Sequence, residues 1–140
     1  MNKGNLVLSS NDAEMWFDGE PVWELSKASA KTTKENDDIT FVGDKTTYKK
    51  GKGYKVEGSF TVRKINSKIT KKVANSIKTG IDLDTKIIAK MARADGLVER
   101  VALTGVDISE LNLFDLESQG NMEQEFPFTA NNFAYLDFIE

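Results

Sequence analysis

The stretch YKVEGSFTVR, residues 54–63, puts Tyr54, Val56, Phe60 and Val62 on even positions and Lys55, Glu57, Ser59, Thr61 and Arg63 on odd ones. A period of two describes a strand with one buried and one wet face, because successive side chains point to opposite sides of the pleat. Alternation of this kind recurs in 84–93, 99–106, 109–118 and 122–130, which read as successive strands. Turn signals at Ala94-Asp95-Gly96 and Gln119-Gly120-Asn121 separate them. In LNLFDL the alternation slips by one between Leu113 and Phe114, which predicts a β-bulge. Pro127 cannot donate to a ladder, so its strand is expected at an edge or a bulge. Asp18-Gly19 lies between apolar runs in EMWFDGEPVWEL (14–25), a strong hairpin signal.

Helical periodicity is confined to NSKITKKVANSIKTG (66–80), where Ile69, Val73 and Ile77 lie four apart. Asn66 or Ser67 is the expected cap and Gly80 the stop, which sets a helix at about 67–79. Its other face carries Lys68, Lys71, Lys72 and Lys78, so it packs by one edge. The architecture is mainly antiparallel β with one helix, α+β by a strict count. A chain of 140 residues fits a single domain, 1–140, burying about two thirds of its unfolded surface. After the first hairpin, ELSKASAKTTK continues extended but polar, and 35–53 reads as a long excursion or protruding hairpin.

The chain has no Cys and no His, which excludes disulfides, thiolate and imidazole metal ligands, and His-based triads. No window approaches the ~18 apolar residues of a membrane span, and Leu6–Leu8 is too brief for a signal core. The expectation is a soluble chain made in the cytoplasm, with no membrane anchor. The net charge of -3 hides a lopsided distribution. Residues 27–72 hold 13 basic and 5 acidic side chains, whereas 107–140 hold eight carboxylates and no base. Such asymmetry points to a nucleic-acid patch, an acidic tail, or a molecule whose one surface attracts another surface of its own copies.

Gly51, Gly53 and Gly58 among lysines raise the idea of a phosphate-cradling loop. That needs a helix N-terminus to follow, and a strand follows instead. The glycines are better read as shaping a turn at 51–53 and admitting a close neighbour at 58. The acidic residues Asp107, Glu110, Asp115, Glu117, Glu123 and Glu125 could supply a glycosidase-like pair or a hard-cation site, but they lack calcium-loop spacing and any activating partner. Glu123 and Glu125 share the polar face of one strand, as solvated or channel-facing carboxylates would. Lys45, Lys49, Lys50 and Lys52 beside Tyr48 and Tyr54 resemble a nucleic-acid platform, and a nucleic-acid-binding β-barrel module using 45–64 is the alternative function. The acidic total weighs against it and favours a segment that meets an acidic protein surface. Strands with one wet face also leave edges open to strand addition, which several copies closing radially would resolve.

The order of these segments resembles the tail tube proteins of contractile phage tails, defective-prophage elements and R-type bacteriocins of Gram-positive type. The resemblance spans nearly the whole chain: FDGE (17–20), GKGYKVEGSFTVRKINSK (51–68), KTG (78–80), VERVALTGV (98–106) and LFDLESQGNMEQEFPFTANNF (113–133). It implies a small sandwich or open barrel of two packed sheets plus the helix. It further implies a structural protein with no catalytic residue, cofactor or metal, whose hexameric rings stack into a hollow tube with a continuous β-barrel lumen. The N-terminal arm 1–10 and the long loop or hairpin at about 34–53 would reach a neighbouring ring, with Lys45, Tyr48, Lys49, Lys50 and Lys52 as contacts. Glu123 and Glu125 would face the lumen. Implied partners are further copies, the tail sheath, the baseplate and tape-measure proteins, with DNA only as passing cargo. Assembly would occur in the host bacterial cytoplasm, before incorporation into a virion or a released tail-like particle.

Overall fold

The computed structural model describes residues 8, 13–93, 95–114, 116, 118, 120 and 122–139. Two antiparallel sheets face each other across one core. The element order is β1 (Glu14–Phe17), β2 (Glu20–Pro21), β3 (Leu25–Ile39), β4 (Tyr48–Arg63), α1 (Lys68–Thr79), β5 (Thr85–Ala92), β6 (Val98–Val106), β7 (Glu123–Ala130) and β8 (Asn132–Asp137). One sheet runs β2-β1-β5-β6-β8 and the other β3-β4-β7. This is the expected mainly β sandwich with one helix.

The alternation in β4 holds at Val56, Phe60 and Val62 but fails at two positions: Tyr54, expected inward, is half exposed beside Phe133, and Thr61, expected on the wet face, is buried. Val56, Phe60 and Val62 are buried, and with Phe126 and Phe128 from β7 they face Phe17, Ile87 and Leu103 of the other sheet. Phe60 is the centre: its ring lies 5.6 Å from Phe17, 5.1 Å from Phe126 and 6.1 Å from Phe128. Gly58 occupies the remaining inward position because a Cβ there would lie 2.2 Å from the Ser29 carbonyl oxygen and 2.9 Å from the Phe128 ring. Phe17 pairs with Glu20, and the two intervening residues both take positive φ, 54° at Asp18 and 82° at Gly19. That is the backbone of a tight primed hairpin turn, which Asp tolerates and Gly favours.

The helix closes one end of the sandwich through Val73, which is fully buried, while Ile77 is exposed. Gly80 ends it in the left-handed conformation, and its N–H donates to the Ser76 carbonyl at 3.0 Å. Ser67 stands at the cap position without a capping side-chain bond, and Asn66 Oδ1 instead accepts the Lys68 N–H at 3.1 Å. Its first turn holds no acid to offset the dipole. Polar ties anchor it: Lys72 to Asp18 at 2.9 Å, and Thr70 Oγ1 donating to Gln124 Oε1 at 2.8 Å beside Lys64 Nζ.

Two segments depart from the sequence reading. The strand expected at 109–118, with its bulge between Leu113 and Phe114, is absent among the described residues; Asp115 and Glu117 lie outside them. The reason is local. Asp107 exchanges two backbone bonds with Thr129, 2.8 and 3.0 Å, and Ile108 then drops into the core, leaving the following residues with no partner strand. Conversely, β8 pairs with β6 through Phe133↔Leu103 and Tyr135↔Val101, though its sequence was not read as a strand. Pro127 sits on β7, which ends its sheet: β4 is on one side, and the Thr129 N–H pointing to Asp107 marks the other as outward for 123, 125, 127 and 129.

Candidate assembly surfaces

Among the described residues no group of three or more acidic side chains is arranged to hold a metal ion. The chemistry-bearing residues lie instead on three surfaces.

The first is the outer face of the three-stranded sheet. Cross-strand register puts Lys27, Ser29, Lys31 and Thr33 of β3 beside Thr61, Ser59, Glu57 and Lys55 of β4, with Glu123, Glu125, Pro127 and Thr129 of β7 completing the rows. The only apolar side chain there is Pro127. Opposite charges share three of the rows: Lys31 lies 3.7 Å from Glu57, Arg63 is opposite Glu123, and Lys27 and Glu125 flank Thr61. The face is hollowed, with a concavity of about 520 Å³ over Ser29, Ser59 and Pro127. Glu123 and Glu125, expected on one strand face, are both exposed on it.

The second surface is a ribbon. β7 covers β4 only from Val56 to Arg63 and Tyr54 packs on Phe133 of β8, so β3 beyond Lys34 and β4 before Tyr54 run on as two strands exposed on both faces. β3 contributes Glu35, Asp37 and Asp38, and β4 contributes Lys49, Lys50 and Lys52. Lys50 faces Asp37, Lys49 faces Asp38, and Lys52 Nζ reaches Asp37 at 3.6 Å. At Lys52 the register shifts between Glu35 and Asn36, and Gly53 takes φ 144°. The turn expected at 51–53 is therefore absent: these glycines lie within β4, where Gly53 permits the bulge, and no helix follows them. Near the tip, Tyr48 and Phe41 meet edge to face at 5.8 Å. The Thr46 N–H, 2.9 Å away, and the Tyr48 hydroxyl hold the Asp44 carboxyl below its usual range. Lys45 lies in the loop joining the strands. The structure thus brings Tyr48, Lys49, Lys50 and Lys52 onto one strand, each lysine near a carboxylate of β3. Residues 1–7, 9 and 10 of the expected N-terminal arm lie outside the described residues.

The third surface is the outer face of the five-stranded sheet. Pro21, Trp16, Ile88, Ala102 and Ala134 stand in register as one apolar row across every strand. Beside it runs a charged row, Glu14, Lys90, Arg100 and Asp137, with Arg100 and Asp137 3.3 Å apart. Sequence reasoning missed this row because each strand contributes one residue, and pairing across strands is invisible to single-strand periodicity.

The profile of the family described as phage tail tube protein matches residues 2–137. A comparison with curated protein sequences returns no match. Among solved structures, a chain of the anti-feeding prophage cap that terminates its tube superimposes with a TM-score of 0.75 at 12% identity, covering 94% of this chain and 92% of that one. A chain of an extracellular contractile injection system, from its extended sheath-tube complex, gives 0.73 at 12% identity over 94% and 93%. The SPP1 tail tube gives 0.69 at 8% identity over 96% and 81%. At such identities the likeness is one of fold.

Proposed function

Because this chain belongs to the phage tail tube protein family, we propose that it closes into hexameric rings that stack as the inner tube of a contractile, tail-like injection machine. The single observation that carries this reading is the three-stranded sheet. Among the described residues no further strand pairs with its edges β3 and β7 beyond the Asp107–Thr129 bridge, and its outer face is polar apart from Pro127 and hollowed. Copies joined edge to edge would extend that sheet into a barrel and turn the polar face, including Glu123 and Glu125, to a water-filled lumen. Its carboxylates share rows with Lys27, Lys31 and Arg63, so the wall would be nearly neutral, and passing DNA would find little net charge to hold it. The role is structural and needs no catalytic group.

The ribbon would meet the next ring through Lys45, Tyr48, Lys49, Lys50 and Lys52, helped by the N-terminal arm, since a two-stranded ribbon is marginal in water alone. The apolar row through Trp16 would then face outward, suited to a sheath protein, while baseplate and tape-measure proteins would meet the tube at its ends and bore. Assembly would take place in the bacterial cytoplasm. The nucleic-acid alternative is weakened at Lys49, Lys50 and Lys52, whose charge is offset in part by Asp37 and Asp38 within the ribbon.

Negative-stain microscopy of concentrated protein at low and high salt tests the reading. Six-fold annuli and hollow rods are expected. Reversing Lys49, Lys50 and Lys52 together to Glu should keep annuli and abolish rods, and normal rods from that variant would overturn the role given to the ribbon.

A further inference from the structure

The two flanks of the sandwich differ. On the β7 flank the gap between the sheets is filled by the chain itself: Ile108 is fully buried, Leu111 packs against the core, and the Asn112 carbonyl accepts Gln124 Nε2 at 3.1 Å. Directly beyond this plug, Leu113, Phe114 and Leu116 project with 75%, 69% and 74% of their surface exposed. On the opposite flank, between β3 and β8, the described chain fills the gap only in part, where the Tyr54 ring meets Phe133 edge to face at 5.4 Å. A slot of about 90 Å³ remains there, lined by Lys31, Thr32, Val56, Leu103, Phe133 and Tyr135, of which Val56 and Leu103 belong to the core. One flank carries surplus apolar side chains, and the other lacks them.

We propose that Phe114 of one copy seats in the β3/β8 slot of the next, with Leu113 and Leu116 against its rim, so that each ring is closed by a plug-and-slot contact. This rests on the tube reading above and assigns its lateral interface. Charge supports the same occupant. Lys31 lines the slot and Lys34 follows it on β3, whereas the sequence from 107 to 118 holds four carboxylates and no base. Opposite charges on opposite flanks favour a heterologous contact and fix its direction. The lopsided charge of the chain thereby acts within a ring, in addition to any role between rings. A contact that joins unlike flanks cannot saturate in a dimer; it propagates until rotation closes it.

The chain lacks cysteine, so engineered pairs report without background. Phe114→Cys and Thr32→Cys together, oxidised under conditions where annuli form, should give a ladder on a non-reducing gel from dimer up to the closed ring. Mixing the two single variants should stop at dimer, and neither alone should cross-link. Dimers from one single variant alone would mean like flanks meet, and annuli without cross-links would mean neighbours join elsewhere; either overturns the contact while sparing the tube. Absence of annuli under every condition would overturn both. As a second readout, Leu113→Asp with Phe114→Asp should raise the protein concentration needed for annuli by roughly tenfold or more. Its melting midpoint should stay that of the parent because both positions are exposed. Annuli at the parent concentration would sink the proposal.

Discussion

The same two strands, β3 and β4, live in two environments. From Val56 to Val62, β4 is covered by β7 on one side and the core beneath, and its inward residues are buried. From Tyr48 to Gly53 it has only β3 beside it and water on both faces, and at Tyr54 the ring meets Phe133 of β8. The ladder is continuous between the halves, apart from one bulge, yet only the first half has an apolar reason to exist in an isolated chain. The difference separates what a single copy can stabilise from what needs neighbours.

Phe60→Ala breaks the comparison from the body side. Removing a fully buried ring that touches three others should cost about 3–5 kcal/mol, read as a lowered urea midpoint; an unchanged midpoint would mean the core is not where the rings place it. Two glycines of β4 sharpen the contrast. Gly58→Ala forces a Cβ onto the Ser29 carbonyl and should cost about 1–3 kcal/mol. Gly51→Ala meets only the end of the Lys34 side chain at 3.2 Å, and its effect should stay within about 0.5 kcal/mol. Equal losses would show that the ribbon is as rigidly packed as the body.

The smallest effect compares two carboxylates. Asp18, in the body, accepts bonds from Lys72 and from Thr85 at 3.0 Å, which hold its pKa below the usual 3.8. A depressed folded-state pKa contributes stability above 3.8 that is lost as pH falls through the lower folded value. Half-exposed as it is, its contribution should stay below about 1 kcal/mol. Asp18→Asn should therefore flatten the acid side of the melting curve, measured by circular dichroism. Asp44 at the ribbon tip is depressed as well, yet Asp44→Asn should leave the profile unchanged, because the tip lies outside the cooperative core. A matching change at Asp44 would couple the tip to the body.

What could be read from the sequence follows this division. The alternation of β4, the Asp18-Gly19 turn and the helix stop at Gly80 were legible because each is a local pattern with a local cause. Most of β3 was read as extended without a face, since LSKASAKTTKENDDI has almost no apolar alternation and is a strand only because β4 pairs with it. The segment at 109–118 misled for the complementary reason. Its alternation is real, but a strand needs a ladder, and after Asp107 the chain spends its apolar residues on the gap at Ile108 and Leu111. Glu123 and Glu125 were correctly placed together on one exposed face. The apolar row through Trp16 and the slot between β3 and β8 were illegible, because both exist only once distant strands are side by side.

The proline of β7 has a consequence for fidelity. Of the outward positions on that edge, Thr129 already gives its N–H to Asp107 and Pro127 has none, so the rim can offer donors only from Glu123 and Glu125. An arbitrary extended peptide would find two bonds there and two like charges beside them. The rim is thereby poorly suited to copying itself into a fibril and selective for a basic strand of the right register. Free copies thus keep an edge that refuses most company.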